Sequence, residues 1–591
     1  MKLAALSNNT KTEKTLSAFS GLDRRSVPRE GCFPNMLNMS TDSYPALSVR
    51  KKRCQLNFGD TEIYGMLSLD VQVGQNIVHD AFVLDVPSRL KAYYADEDGF
   101  GEHIIMNTNG FLTQSKKQYV TSGTRLYFFP DKKVVNLMTM AEKLPLEYTK
   151  TIPLGAQSEF FYELCAEKCD LDGTLNSSGA FTAISCSVYK LTSDGGKGTY
   201  YEKLAFNSAI KKNDTVELTG FASAKLNGSY NIKNIDIERS KLIISPIENL
   251  TQSTGSFGIS RTVPDMDFVV SAGNRLWGCR YGVGPGNVPV NEIYASALGD
   301  AYNWHRFEGV STDSWTASIN TPGAFTGAVC FNGNPVFFKE NAIIKVFGSY
   351  PAEFTVTESK MRGVEIGSSE SIAAVGDCLY YKSTDGIVRY DGSIPQVVDQ
   401  NLDSAGFKNA VAGSVGSKYY VSMADRSGER SLYVYDSERK LWSREDDPGI
   451  VSFCRSGSKL YMLCQSGDEN TVYAADSDGI TGTPEKDNSY DWSFETGDMG
   501  YDAPKHKYVS HVILRLEPEA GASATVSLSR DGGEWVTEYA FNCTGDGIKT
   551  VEVRPRRCAS FRVKAEGRGK CVLRSLTCVW EKCSSVSPRG L

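Results

Sequence analysis

The chain is predicted to be all-β: a β-propeller of about six or seven blades, with an inserted β-sandwich domain and a C-terminal β-sandwich. Three observations predict this. Helical periodicity is nearly absent from the 591 residues, and apolar residues come in short runs bounded by Gly, Asn, Asp and Ser. The 29 Tyr, 27 Phe and 54 Gly favour short strands and tight turns. A short phrase also repeats: a turn Gly, two residues, then an aromatic-containing strand. It reads "GNRLWG" at 273, "GNPVFF" at 333, "GDCLYY" at 376, "GSKYYV" at 416 and "GSKLYM" at 457, at spacings of 60, 43, 40 and 41 residues. A beat of about 40 residues suits a propeller blade of three or four strands.

Each element follows from its local pattern. Residues 1–59 read as an N-terminal arm and a first strand. In "ALSVRKKRCQLNF" that strand enters the first blade, with Leu47, Val49, Cys54 and Leu56 facing inward. Residues 60–149 hold the first blades, the phrase reappearing as "SGTRLYFFPDKKVVNLM" at 122–138. Two stretches, 134–144 and 160–169, are candidate helices. Residues 150–262 interrupt the beat. Their core at 212–246 alternates strictly, with turns at Gly220, Asn227-Gly228 and Arg239-Ser240, as an inserted β domain does. Residues 263–485 carry the remaining blades. Residues 486–591 lose the beat and show long alternating strands joined by Gly-rich turns, a C-terminal β-sandwich.

Composition narrows the function classes. The net charge of -6 is small for this length and points to neither nucleic acid nor membrane as a partner. No apolar run is long enough for a membrane-spanning helix, and the N-terminal apolar stretch is too short for a secretory signal. Synthesis in a cytoplasm is expected. The fifteen cysteines are scattered through strand-like runs and read as reduced core thiols. Cys165 and Cys169 have no second pair at zinc-ligand spacing. Charge is segmented: residues 1–53 hold ten basic against four acidic side chains, residues 270–480 hold 18 against 25, and residues 551–574 hold eight against two.

Catalytic chemistry leaves no local motif. The five histidines, His79, His103, His305, His506 and His511, lie outside any metalloprotease, nucleophile-elbow or phosphate-loop motif. "SRDGGEWV" at 529–536 resembles the Asp-box of sialidases, but its Trp comes one residue early and it occurs once, so a hairpin turn is expected. Glu358, Glu365, Asp377 and Asp385 fall in blade loops and read as solvated turns. The expectation is therefore no enzyme, with no catalytic, cofactor-binding or metal-binding residue assigned and no cofactor required. The candidate interface residues are basic: Arg50, Lys51, Lys52 and Arg53 in the arm, and Arg554, Arg556 and Arg557 near the end. The first four are expected on the exposed end of a strand, free to meet a neighbouring subunit or adaptor. The others are expected on an exposed face.

A family resemblance adds to this. Residues 18–53, "AFSGLDRRSVPREGCFPNMLNMSTDSYPALSVRKKR", resemble the opening of tail nozzle or head–tail stabilisation proteins of short-tailed bacteriophages. The resemblance is carried by Gly21-Leu22-Asp23, by Asn38, and by the strand Leu47 to Arg50. "LYYKSTDGIVRYDGSIPQVVD" at 379–399 resembles their propeller blades. The resemblance implies a structural virion protein in a ring of identical copies, expected to number six, that extends the DNA exit channel. It implies portal or adaptor proteins above, tail fibres or needle proteins below, and DNA passing through the lumen without specific binding. It places the protein in the virion tail, made in the host bacterial cytoplasm. The alternative is a carbohydrate-binding or glycan-cleaving propeller adhesin.

Overall fold

The structure is a computed structural model. It describes residues 11–582 apart from 57, 74–75, 97–98, 139–142, 207–208, 237–239, 285–286, 403–405, 468, 479–482, 485–490 and 501–506. Among the described residues there is no α-helix. The protein is all-β and of propeller type.

The repeated phrase forms the turn between the first two strands in six of the seven sheets numbered below. Gly273, Gly376, Gly416 and Gly457 all sit at φ between 55 and 58°, where a side chain would be strained. The flanking residues pair across a two-residue turn, as in Val375 with Cys378 and Ser456 with Lys459. Seven such antiparallel sheets are described, spanning 65–107, 118–145, 268–318, 325–359, 373–397, 408–445 and 450–474. We number these blades 1 to 7.

The chain divides into two compact units. One holds blades 2, 3 and 4 with the inserted domain. Its blades pack face on face: Tyr127, Val269, Leu276 and Trp304 fill the space between blades 2 and 3, and Trp277, Ile293, Phe325 and Phe337 that between blades 3 and 4. The insert runs from the strand Tyr148–Pro153 to the strand Ser256–Arg261 and builds two sheets over Ile152, Leu164, Ile184, Val216 and Phe257. The other unit holds blades 5, 6, 7 and 1 with both chain ends. Tyr380, Tyr419 and Tyr433 lie in the core shared by blades 5 and 6. Leu432, Ile450 and Met462 join blades 6 and 7, and Tyr461, Cys454, Phe82 and Leu84 join blades 7 and 1.

Three local expectations are corrected. The stretches proposed as helices are not helical where described: 134–144 holds parts of the blade 2 strands Lys133–Asn136 and Lys143–Pro145, with 139–142 outside the described residues, and Phe160–Cys169 pairs residue for residue with 181–190. A ten-residue amphipathic run fits either period, and the cross-strand partner decides. The arm does not enter the first blade. Its strand Cys54–Leu56 pairs with Glu469–Ala474 and completes blade 7. Nor is the sandwich made from the C-terminus alone. The arm strands Thr12–Leu16 and Leu47–Val49 pair with the strand Cys571–Lys582, and Asn35–Leu37 pairs with Asp491–Glu495. Both sheets of the sandwich therefore contain N-terminal strands.

Among the described residues the fourteen cysteines are free thiols, most of them buried. No helix there is long and apolar enough to cross a membrane.

Candidate functional site where the chain ends meet

The residues that carry the family resemblance converge on one region, between blade 6 and the sandwich. Gly21 has φ 73°, and a Cβ there would stand 2.4 Å from the Trp442 carbonyl oxygen, so only glycine fits. That carbonyl accepts the Leu22 amide at 2.7 Å. The buried Asp23 carboxylate accepts Arg25 Nε at 2.8 Å, Arg25 Nη2 at 2.5 Å and the Arg29 amide at 3.2 Å. Burial opposes its charge, but these donors outweigh burial and hold its pKa below the usual value.

Asn38 is the second node. At φ 55° it bonds in three directions. Its Oδ1 accepts Arg50 Nε and the Asp446 amide, each at 3.0 Å, and its Nδ2 donates to the Asp491 carbonyl at 2.7 Å. One side chain thus joins the arm, the end of blade 6 and the first strand of the sandwich.

The basic run is divided. Arg50 and Arg53 are 3% and 2% exposed, not at a solvated strand end. Arg53 donates to Glu445 Oε2 at 3.0 Å, Asp446 Oδ2 at 3.2 Å and the Asp446 carbonyl at 2.8 Å. Arg50 meets Asp446 Oδ1 at 3.1 Å. Burial works against the Asp446 charge, yet the two guanidiniums hold its pKa below normal. The expectation that all four residues await a partner is corrected for these two: the two acids at the end of blade 6 already neutralise them, since charges this deep need partners in the same chain. Lys51 points outward to Asp476 at 2.6 Å and Asp478 at 3.5 Å, and Lys52 is half-buried. Arg554, Arg556 and Arg557 are exposed, as an interface role needs, and Arg554 contacts Glu552 at 2.9 Å.

Beside Asp23 opens a groove of about 620 Å³, walled by the 25–34 loop, the 496–500 turn, Arg562 and Leu576. Its surface mixes Val27, Pro28 and Met499 with Arg25, Arg29, Glu30 and Asp498. Arg562 is held by Glu495 at 2.8 Å and lies over the Trp535 ring. The "SRDGGEWV" segment is the hairpin turn expected from sequence. Asp531 accepts the Ala559 and Ser560 amides, and Ser529 donates to the Gly533 carbonyl.

A second groove, of about 470 Å³, lies in the other unit between 307–316 and 350–352. Asp313 Oδ2 accepts the amides of Glu308, Gly309 and Val310 and so locks the loop. The locked loop displays Phe307, 62% exposed, and Val310 beside Tyr350. No sequence pattern marked it, because the carboxylate that shapes it bonds chiefly main chain, with Arg306 Nε 3.4 Å from its other oxygen.

Several of the remaining polar residues singled out from sequence are tied into the structure. His79 contacts Asp70 at 3.1 Å and His511 contacts Glu552 at 2.5 Å. His305 is exposed, His506 lies outside the described residues, and of His103 only the backbone is described. Glu358 is not a free turn acid: it accepts the Asn320 and Thr321 amides. Glu365 meets Lys382 at 3.2 Å, Asp385 meets Arg362 at 2.7 Å, and Asp377 is exposed.

Lys339, unremarked in the sequence, is buried at the junction of blades 3 and 4. Its Nζ donates to Asn291 Oδ1 and to the Thr321 and Gly323 carbonyls at 2.6–2.7 Å. Burial pulls its pKa down to about 8. That lies below the unfolded value of 10.5, so between the two the unfolded chain holds the extra proton and stability climbs as pH rises. Unfolding midpoints from pH 7 to above 10 should show this climb in the wild type and lose it in Lys339→Met. Equal slopes would place the amine's titration elsewhere.

No family model matches the chain, and no curated protein matches it. Solved structures do align with it. The exo-beta-1,3-galactanase from Phanerochaete chrysosporium aligns over 52% of this chain and 94% of its own, at 13% identity and a TM-score of 0.22. The endosialidase of phage phi92 aligns over 77% and 75%, at 11% identity and 0.22. The sialidase of Trypanosoma rangeli aligns over 97% of each chain, at 8% identity and 0.23. At these values the likeness assigns no activity or substrate. Three of the aligned structures are enzymes by their printed names, a galactanase, an endosialidase and a sialidase, so the expectation of no enzyme is withdrawn, with no activity assigned in its place. A missing short motif excludes no glycosidase, since its two carboxylates meet only in space and leave no local signature.

Proposed function

We propose that the chain is a structural component of a phage tail, a nozzle or connector subunit that docks neighbouring tail proteins and extends the DNA exit channel. One observation supports this best. Gly21, Asp23, Asn38 and Arg50, the residues of the family-like opening, are each fixed by a specific bond or backbone need, and together they bind both chain ends to blade 6. A subunit whose first and last described strands pair within its body suits a load-transmitting assembly, because paired strands resist fraying. The exposed Arg554, Arg556 and Arg557 supply cations for a neighbour. The proposed setting is a homo-oligomeric ring, six-fold on the family pattern, between adaptor and fibre proteins. Negative-stain microscopy of the purified chain, alone and with an adaptor ring, is expected to show closed rings. Dispersed single particles under both conditions would overturn the reading.

A second reading, a glycan-engaging propeller, is favoured by the locked loop that displays Phe307, Val310 and Tyr350. Rigid apolar faces with few polar groups are common in small-ligand sites. Tight binding to a glycan array, lost in Phe307→Ala, or release of free sugar from a bound glycan, would replace the first reading with this one.

A further inference from the structure

The strand Val536–Asn542 breaks the pattern of the sandwich around it. Other long strands there alternate between buried and exposed residues, but all seven of its residues are exposed or half-exposed. It is the last strand of its sheet, paired on one side with Ser523–Arg530 and on the other with nothing among the described residues.

The register identifies which side chains face the core layer. Val536 lies opposite Leu528, Tyr539 opposite Val526 and Phe541 opposite Ala524, and those three partners are buried in the core. Val536, Tyr539 and Phe541 therefore sit on the apolar face of the sheet, yet Val536 is 53% and Tyr539 39% exposed. In the facing sheet Ile548, 66% exposed, precedes the strand Lys549–Val553. Among the described residues the sandwich is open along this margin, and no strand covers it. The edge also lacks the usual protection: it has no Pro or Lys, and its one charge, Glu538, is taken up by Arg530 at 2.7 Å.

We infer that this edge pairs with the same edge of a second copy of the chain, antiparallel about a two-fold axis at Ala540. The sequence is complementary to itself in that register. Tyr539 lies across from Phe541 of the other copy, twice, on the apolar face, and such cross-strand aromatic pairs stabilise sheets. Ala540 meets Ala540, so nothing bulky stands on the axis. Glu538 meets Asn542, and no like charges are opposed. A register centred on Glu538 would oppose two carboxylates. The bulge between Val526 and Ser527, which leaves Glu538 unpaired, falls at the end of the shared ladder and leaves 539–542 regular. The contact is isologous, each copy giving and receiving the same patch. It stands independently of the tail assignment.

The test uses the full chain with the exposed Cys330 changed to Ser. Ala540→Cys in that background is expected to give a disulfide-linked dimer on mild oxidation, while the Cys330→Ser parent stays uncrosslinked. Light scattering at micromolar concentration is expected to show a molar mass twice that of Tyr539→Lys, whatever ring the chain also forms. Far-ultraviolet circular dichroism shows whether Tyr539→Lys still folds. If it does not, Thr537→Lys on the outward face of the same edge is the second variant, expected to keep the fold and weaken the pair. A parent chain that stays single at these concentrations with no Ala540→Cys crosslink overturns the inference. So does a deletion of residues 1–10 that creates the dimer, because the edge would then belong to the chain's own terminus.

Discussion

Replacing Arg53 with Ala is expected to destabilise the unit that holds both chain ends by about 3–5 kcal/mol, the cost of removing one partner from a buried ion pair. The reason is geometric. Arg53 is as deeply buried as Arg50, and its guanidinium reaches Glu445 and both the carboxylate and the carbonyl of Asp446. Without it Arg50 alone faces two acids, the nearly buried Glu445 and the partly exposed Asp446, and an unpaired buried charge at Glu445 costs far more than an exposed pair contributes. Lys51→Ala, two residues away, should cost only about 0.5 kcal/mol, because its pair with Asp476 is solvated. Hydrogen exchange over 430–445 and 491–495 localises the effect. Equal protection in the two variants would refute the burial argument. The pH dependence has a definite sign. Asp446 has a folded pKa below 3.8, so its contribution is complete above that value and is lost as pH falls through the folded value.

Asn38→Ala is the second large effect, expected at about 3 kcal/mol or more. Three bonds end on this side chain, and its loss leaves the Asp491 carbonyl and the Asp446 amide without their partner, each at about 1–3 kcal/mol. Alanine at φ 55° adds about 1 kcal/mol of backbone strain. Asn38→Gly removes the strain and keeps the loss of bonds, so it should recover about 1 kcal/mol relative to Ala. Denaturant midpoints read by tryptophan fluorescence separate the three proteins, with Trp442 and Trp492 both in this unit. If Gly and Ala behave alike, the left-handed backbone does not contribute. If both match the wild type, Asn38 is not the joint described above.

Much of the fold was legible because its signals are local. A turn Gly with positive φ followed by an aromatic strand marks itself wherever it falls, and the 40-residue beat of blades 4 to 7 is visible in print. The candidate site was legible in part. Gly21, Asp23 and Asn38 stood out by resemblance, but Trp442 beside Gly21 and the Asn38 partners Asp446 and Asp491 lie some 400 residues away in the chain, and no local pattern links them. The basic run was misplaced for the same reason. Four consecutive charges look solvated unless the acids at 445 and 446 are known to fold over two of them.

The sequence by itself determined the class of this protein: all-β, propeller-type, with a meander inserted after the early blades and long alternating strands at the end. Period-two alternation and turn chemistry act over a few residues, so they survive in one dimension. Only the tertiary structure decided where the arm goes. It closes blade 7 instead of opening blade 1, it lends strands to both sheets of the sandwich, and it buries Arg50 and Arg53 against blade 6. It also left Val536–Asn542 uncovered, although the same alternation should bury one face. Strand pairing across hundreds of residues depends on which edges remain open once the blades have packed, and edge geometry has no counterpart in local sequence.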